Sequence, residues 1–224
     1  EVKVLTGEEE ADLDYIGVVN AVAPETGLII DVGGGSTKLI GYRNRLKEEW
    51  AALPFGSVTL TRDFLARGRI EPASLAALED FLTEKLARFP WLSQYDTVVA
   101  LGGIARTLAR IDRRRRDYRP DISHGYELLP ESVEDILRWL ARLDLQGRWR
   151  VAGMSRERAD VIVAGIAVIN QLLQVSGSSR VVTSRSGLRD GLLYQYLSRY
   201  KQDPILLSPL MNSVENLIKY YNIE

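Results

Sequence analysis

The sequence contains no cysteine and only one histidine, His124. The first absence removes disulfides, thiolate nucleophiles and every cysteine-ligated zinc or iron–sulfur site, and it fits a reducing compartment. The second excludes a metal centre built from several histidines and leaves a Ser-His-Asp triad a single residue to be built on. Metal ligation, where it occurs, falls to oxygen. No apolar run is long enough to span a bilayer, and the first ten residues are acidic where a secretion signal would be basic, so a cytoplasmic location is expected. A formal net charge of −1 provides no overall attraction to nucleic acid or to an anionic membrane. What is present is a chain of 224 residues, 46% apolar and 26% charged, enough to bury one sizeable core or two small ones.

The pattern of elements begins with residues 1–5, which alternate like a strand. Thr6 followed by Glu9 then forms a capping box that launches a helix through about Val19. Pro24 and Gly27 break the pattern. Strands are predicted at 28–31, 38–42 and 48–53, the last two joined by the turn Arg43-Asn44-Arg45. Helical periodicity follows over 58–65 and 75–89, with Pro72 placed for a helix start. A further strand at 97–101 feeds a helix at 106–111, with more helices near 131–143, 156–173, 188–200 and 209–224 and a short strand at 180–183. Three strands, then helices joining further central strands, predict an α/β fold of the ribonuclease H-like kind, the unit duplicated in actin-like ATPases, with a mixed sheet built on an antiparallel meander.

Candidate chemistry starts at Asp31-Val32-Gly33-Gly34-Gly35-Ser36-Thr37, between two strands. Glycines there let backbone N–H groups form a concave nest for an oxyanion, to which Ser36 and Thr37 add hydroxyls. Asp31 is placed to hold a hydrated divalent cation or to orient water beside that anion. The bland alternative is a glycine-rich hairpin. Ala100-Leu101-Gly102-Gly103-Ile104-Ala105 ends a strand and opens a helix, so its amides point toward a possible anion or form a plain strand-to-helix turn. Arginines crowd between Arg106 and Arg119, with an unbroken run from Arg113 to Arg116. This is either an anion-facing patch or a solvated helix end. Arg189, flanked by Gly187 and Gly191, is suited to gripping phosphate oxygens in pairs. Arg158 and Asp160 are expected to form an ion pair that fixes the helix they open, and His124 to be a surface residue without a partner that would make it a base.

Taken in order, Thr6-Gly7-Glu8-Glu9-Glu10-Ala11, the Asp31 to Thr37 motif, Leu53-Pro54-Phe55-Gly56-Ser57-Val58, Gly102-Gly103-Ile104, Arg156-Glu157-Arg158-Ala159-Asp160-Val161-Ile162 and Gly187-Leu188-Arg189-Asp190-Gly191 resemble the signatures of the exopolyphosphatase/guanosine pentaphosphate phosphatase (Ppx/GppA) family across nearly the whole chain. The resemblance implies hydrolysis of a terminal phosphoanhydride, in inorganic polyphosphate or at the 5′ end of guanosine pentaphosphate. Water would attack in line, with Glu10 as general base. It also implies phosphate binding by Gly33, Gly34, Gly35, Ser36, Thr37, Gly103 and Arg189, and a divalent cation, magnesium, at Asp31. Ile104 departs from the hydroxyl-bearing residue usual in the family after the glycine pair.

The family's first phosphate loop, an aspartate-glycine-serine motif in an upstream half, has no counterpart in the chain. Residues 1–20 are therefore expected to end an upstream actin-like domain, 21–205 to form the second such domain, and 206–224 to enter a helical region. Such a piece would offer one wall of a cleft, be inactive alone, and either dimerise or depend on the missing half. The same residues admit two other functions: a non-catalytic polyphosphate or alarmone sensor, for which Glu10 would be superfluous, and a nucleotide-binding relative with its base near Gly102-Gly103.

Overall fold

Thr6 starts the first helix as its sequence predicts: its backbone N–H donates to Glu9 Oε2 at 2.9 Å, and its hydroxyl accepts from the Glu9 N–H at 3.2 Å, which satisfies two of the otherwise unpaired groups of the helix start. In the computed structural model, which describes residues 4–22, 24–65, 69–117, 124–198 and 205, this helix is α1 (Gly7–Val19). A meander follows, β1 (Gly27–Val32), β2 (Thr37–Arg43) and β3 (Leu46–Leu53). Asn44 and Arg45 take the β2–β3 turn with φ of +49° and +62°, the pair of left-handed residues that matches strand twist in a two-residue hairpin. The Arg45 carbonyl accepts from the Tyr15 hydroxyl at 2.6 Å, which ties that turn to α1.

The remaining elements are α2 (Ser57–Phe64), α3 (Pro72–Leu86), β4 (Thr97–Leu101), α4 (Gly102–Arg115), β5 (Glu127–Leu128), α5 (Pro130–Arg142), α6 (Leu145–Trp149), α7 (Ile162–Ser176), β6 (Arg180–Thr183) and α8 (Leu188–Ser198). The sheet has six strands in the order β3-β2-β1-β4-β6-β5. The meander is antiparallel, β4 and β6 add parallel to it, and β5 closes the far edge antiparallel. This is the ribonuclease H-like, actin-like arrangement that the sequence predicts.

Alternation along the strands sorts the two cores. Leu28, Ile30 and Leu39 enter the large core with α3, α5 and α7. Ile29, Ile40 and Tyr42 face α1, and Asp31 and Lys38 share that second face. Helix α7 is buried almost all round, as a helix in the middle of a layer must be. Its start differs from the expected 156–173: Arg156–Arg158 form a separate 3₁₀ turn, and the α-helix begins at Ile162. Val4 and Leu5 belong to no strand. The rest of the expected opening strand, the helix at 209–224 and the last two residues of the helix at 188–200 lie outside the described residues.

Helices α1 and α8 meet through glycines. A Cβ on Gly17 would lie 2.2 Å from the Gly187 carbonyl oxygen, and one on Gly191 would lie 1.8 Å from that of Leu13. Backbone cannot yield as a flexible side chain can, so overpacking here is destabilising. Gly17→Ala is expected to lower the free energy of unfolding by ~1–3 kcal/mol in urea titrations. Gly7→Ala, at the open start of the same helix with only an ordinary contact to Ala52 at 3.6 Å, should leave it unchanged or slightly higher.

Candidate active site

Under α1 lies a cluster of charge. Asp31 and Lys38 are directly opposed across the β1–β2 pair, so both side chains leave the sheet on the face that α1 covers. The Lys38 ammonium is 2.7 Å from Glu10 Oε2 and 3.7 Å from Asp31 Oδ2, with only 8% of its side chain exposed. Burial alone would lower the pKa of Lys38, but the hydrogen bond to Glu10 and the charges of Asp31 and Asp14 hold it above the usual value. Asp14, one turn beyond Glu10 on α1, is buried and has an Oδ2 without a hydrogen-bond partner. Burial first, then the charge of Asp31, push its pKa up to about 7, against the opposing pull of Lys38. Asp31 is likewise raised by burial, Lys38 pulling it back and Glu10 adding to the rise. Glu10 itself is part-open, with 35% of its side chain exposed. Neither Lys38 nor Asp14 stands out in the sequence reading.

The glycine turn between β1 and β2 sits at the same end of the sheet. Gly33 N–H closes onto the Ser36 carbonyl at 2.9 Å, while the Gly33 and Gly34 carbonyls accept the first N–H groups of α2, from Ser57 at 2.8 Å and Val58 at 2.9 Å. The amides of Gly34 and Gly35 make no backbone hydrogen bond among the described residues, and no heavy atom lies within 4 Å of a Cβ placed on Gly35. The Ser36 hydroxyl is also uncommitted among them. Thr37 departs from expectation: it is fully buried, and its hydroxyl donates to the Phe55 carbonyl at 2.9 Å. That hydroxyl pins the turn to the β3–α2 connection and does not face a ligand.

At the β4–α4 turn Gly102 takes φ +87°, and a Cβ there would fall 2.7 Å from Asp31 Oδ1; only glycine lets this turn approach the carboxylate so closely. Gly103 lies under the Arg158 guanidinium, whose Nε would be 2.2 Å from an added Cβ. Ile104 is buried against Gly165, a core side chain with no ligand role. Around Arg106 gather Arg110, Arg158, Arg185 and Arg189, and burial together with these four charges lowers its pKa. None of the five makes an ion pair among the described residues; Arg158 donates to Ser155 Oγ at 3.1 Å and Arg110 to Thr107 Oγ1 at 3.2 Å. Arg189, the candidate for gripping phosphate oxygens, lies close enough to Arg106 to act on its charge. The expected Arg158–Asp160 ion pair does not form, because the 3₁₀ turn carries Arg158 over Gly103. Within the run from Arg113 to Arg116, Arg113 is buried, the Arg115 guanidinium lies 5.2 Å from the centre of the Trp139 ring and Arg116 pairs with Asp112 at 2.9 Å. His124 is not a bare surface residue. Its Nε2–H donates to the Ala21 carbonyl at 2.8 Å and its Nδ1 accepts from the Arg185 N–H at 3.2 Å.

Among the described residues no three Asp, Glu or His side chains converge to enclose a metal ion. The space in which a cation at Asp31 would share Glu10 is taken by the Lys38 ammonium, so the magnesium-ligand role expected of Asp31 does not fit this arrangement. What the groups do form is a part-open carboxylate held by an ammonium, next to free amides and an arginine cluster that lacks acidic partners. The raised Asp14 pKa has a consequence for stability. Between about pH 4 and pH 7 the native protein retains a proton that the unfolded chain has released, so this group's contribution falls as pH rises through that window and levels off above it. Asp14→Asn should therefore flatten the slope, by at most ~1.4 kcal/mol per pH unit, and be the more stable protein at pH 8; chemical denaturation at pH 5 and pH 8 of both proteins measures the difference.

Among the described residues no helix is long and apolar enough to cross a membrane. The model of the Ppx/GppA phosphatase family matches residues 1–200. The guanosine-5'-triphosphate,3'-diphosphate pyrophosphatase of Aeromonas salmonicida is 26% identical over 201 residues, which are 88% of this chain and 39% of that protein. The crystal structure of the Aquifex aeolicus member of the Ppx/GppA family superposes with a TM-score of 0.81 at 28% identity, covering 89% of this chain and 65% of that one. That of an exopolyphosphatase from Cytophaga hutchinsonii has the same fold, with a TM-score of 0.81 at 23% identity, over 88% of this chain and 66% of that one. The chain spans between 39% and 59% of the length of the curated relatives it matches. With its six signature segments brought to one end of the shared fold and the family model matching through residue 200, the chain belongs to the Ppx/GppA phosphatase family.

Proposed function

We propose that the protein hydrolyses the terminal phosphoanhydride of inorganic polyphosphate, and that this chain supplies one wall of the cleft, a further actin-like unit supplying the other. The observation that carries the reading is Glu10: a carboxylate held in place by Lys38 at 2.7 Å yet 35% exposed, in a site that also gathers five arginines with no ion-pair partner among the described residues. A sensor of the same anion needs the arginines but not this carboxylate.

In the proposed reaction Lys38 engages Glu10 Oε2 and leaves Oε1 to take a proton from water. The water oxygen bonds to the terminal phosphorus as the bridging P–O bond breaks, and the shortened chain leaves with the electrons of that bond. Negative charge that builds on the phosphoryl oxygens is met by the amides of Gly34 and Gly35, the Ser36 hydroxyl, the α4 N-terminus at Gly103, and the guanidinium groups of Arg158 and Arg189. The names of the family and of its relatives support the phosphoanhydride class. A second reading, removal of the 5′-terminal phosphate of guanosine pentaphosphate, draws on a cavity of about 440 Å³ lined by Gln146, Trp149, Arg150 and Arg156, where a part-exposed indole beside guanidinium groups offers a purine a stacking surface.

With both actin-like units present in the parent protein, phosphate release from long-chain polyphosphate should fall about 10²–10⁴-fold in Glu10→Gln, while polyphosphate binding by filter retention stays within a few fold of that parent. Binding without release in the parent would make the protein a sensor. A higher kcat/KM on guanosine pentaphosphate, lost on Trp149→Ala, would establish the second reading.

A further inference from the structure

Lys38 is the only cation in contact with Glu10 and Asp31 among the described residues, and three features fix it there. It stands opposite Asp31 in the β1–β2 register, so neither side chain can leave the shared face without a slip of the hairpin. Its neighbour on β3 is Ala52, too small to hold the lysine by packing or to compete for its charge. Only 8% of the lysine side chain is exposed, so its charge is best held by partners, and those partners are the two carboxylates. Asp14, once it ionises above about pH 7, adds a third negative charge close enough to act on it. A divalent ion shared by Glu10 and Asp31 would have to displace Lys38 from both.

We infer that Lys38 is the resident cation of this site, standing between Glu10 and Asp31 where a magnesium ion was expected, so that the protein by itself holds no divalent cation at Asp31. Its catalytic meaning rests on the hydrolase reading above: Lys38 is a positioning residue that acts through Glu10, fixing which oxygen faces water. Its meaning for metal binding does not depend on turnover. Divalent ions that accompany polyphosphate would then enter as part of the substrate, held by phosphate oxygens and water.

The test is to titrate chelator-washed protein with Mn²⁺, without substrate, following the free-ion signal by electron paramagnetic resonance and the heat by calorimetry. The parent should take up no stoichiometric ion in the micromolar range. Lys38→Met, which leaves Glu10, Asp14 and Asp31 uncompensated, and Lys38→Glu, which adds a fourth carboxylate, should bind one Mn²⁺ per chain at least about tenfold more tightly than the parent, and Asp31→Asn in either background should remove it. A parent protein that binds one Mn²⁺ at micromolar concentration and loses it in Asp31→Asn would overturn the assignment, and that comparison decides even if a Lys38 variant fails to fold. Absence of phosphate release with the second actin-like unit also present, and the titrations as expected, would sink the hydrolase reading and leave the assignment of Lys38 standing.

Discussion

Taking a carboxylate out of water is costly unless a cation comes with it, and at the interface of α1 with the sheet three carboxylates converge on one lysine. Much of the surrounding architecture supports that contact. The β1–β2 hairpin sets Asp31 against Lys38; the capping box at Thr6 fixes where α1 starts and so where Glu10 and Asp14 fall on its surface; the Tyr15–Arg45 hydrogen bond holds the helix over the meander. The arrangement is also incompletely compensated, with Asp14 and Asp31 both held above the ordinary carboxylate range. Such perturbation is concentrated at functional sites more often than at structural ones.

The cationic half of the site is built differently. Arg106 and Arg110 come from α4, Arg158 from the 3₁₀ turn before α7, and Arg185 and Arg189 from the end of the β6–α8 connection and the first turn of α8. Each element reaches the cluster for its own packing reason, and the mutual repulsion there is sustained by the fold around it. An anion relieves the repulsion. The carboxylates and the arginines are neighbours, Arg106 acting on Asp31, so the site is sharply polarised between a carboxylate side and a guanidinium side.

Legibility in the sequence follows the range of the interaction. The capping box, the β2–β3 turn and the meander are local and are read correctly from adjacent residues. Lys38 was within reach of the same reasoning: once the turn at 33–36 closes the hairpin, position 38 must oppose position 31, and a lysine in an otherwise apolar strand needs a partner. Asp14 sits four residues beyond Glu10, which places both on one helical face. By contrast, the arginine cluster joins segments up to about eighty residues apart and carries no local mark, whereas in the obvious run from Arg113 to Arg116, Arg115 and Arg116 are taken up by Trp139 and Asp112. Thr37 misleads because a hydroxyl after a glycine turn looks the same in sequence whether it faces the core or the solvent. The two residues of β5 are too short to show any period.

The way α2 abuts the glycine turn also matters for what the turn can meet. Its Gly33, Gly34 and Ser36 carbonyls are consumed inside the protein, by α2 and by the turn itself, while the amides of Gly34 and Gly35 are left outward. The rim is thereby biased: three of its four carbonyl acceptors are withdrawn while two of its amides are left without a backbone partner among the described residues. That bias sets more donors than acceptors along one short stretch of backbone, a polarity that comes from how the chain is folded and not from any charged side chain.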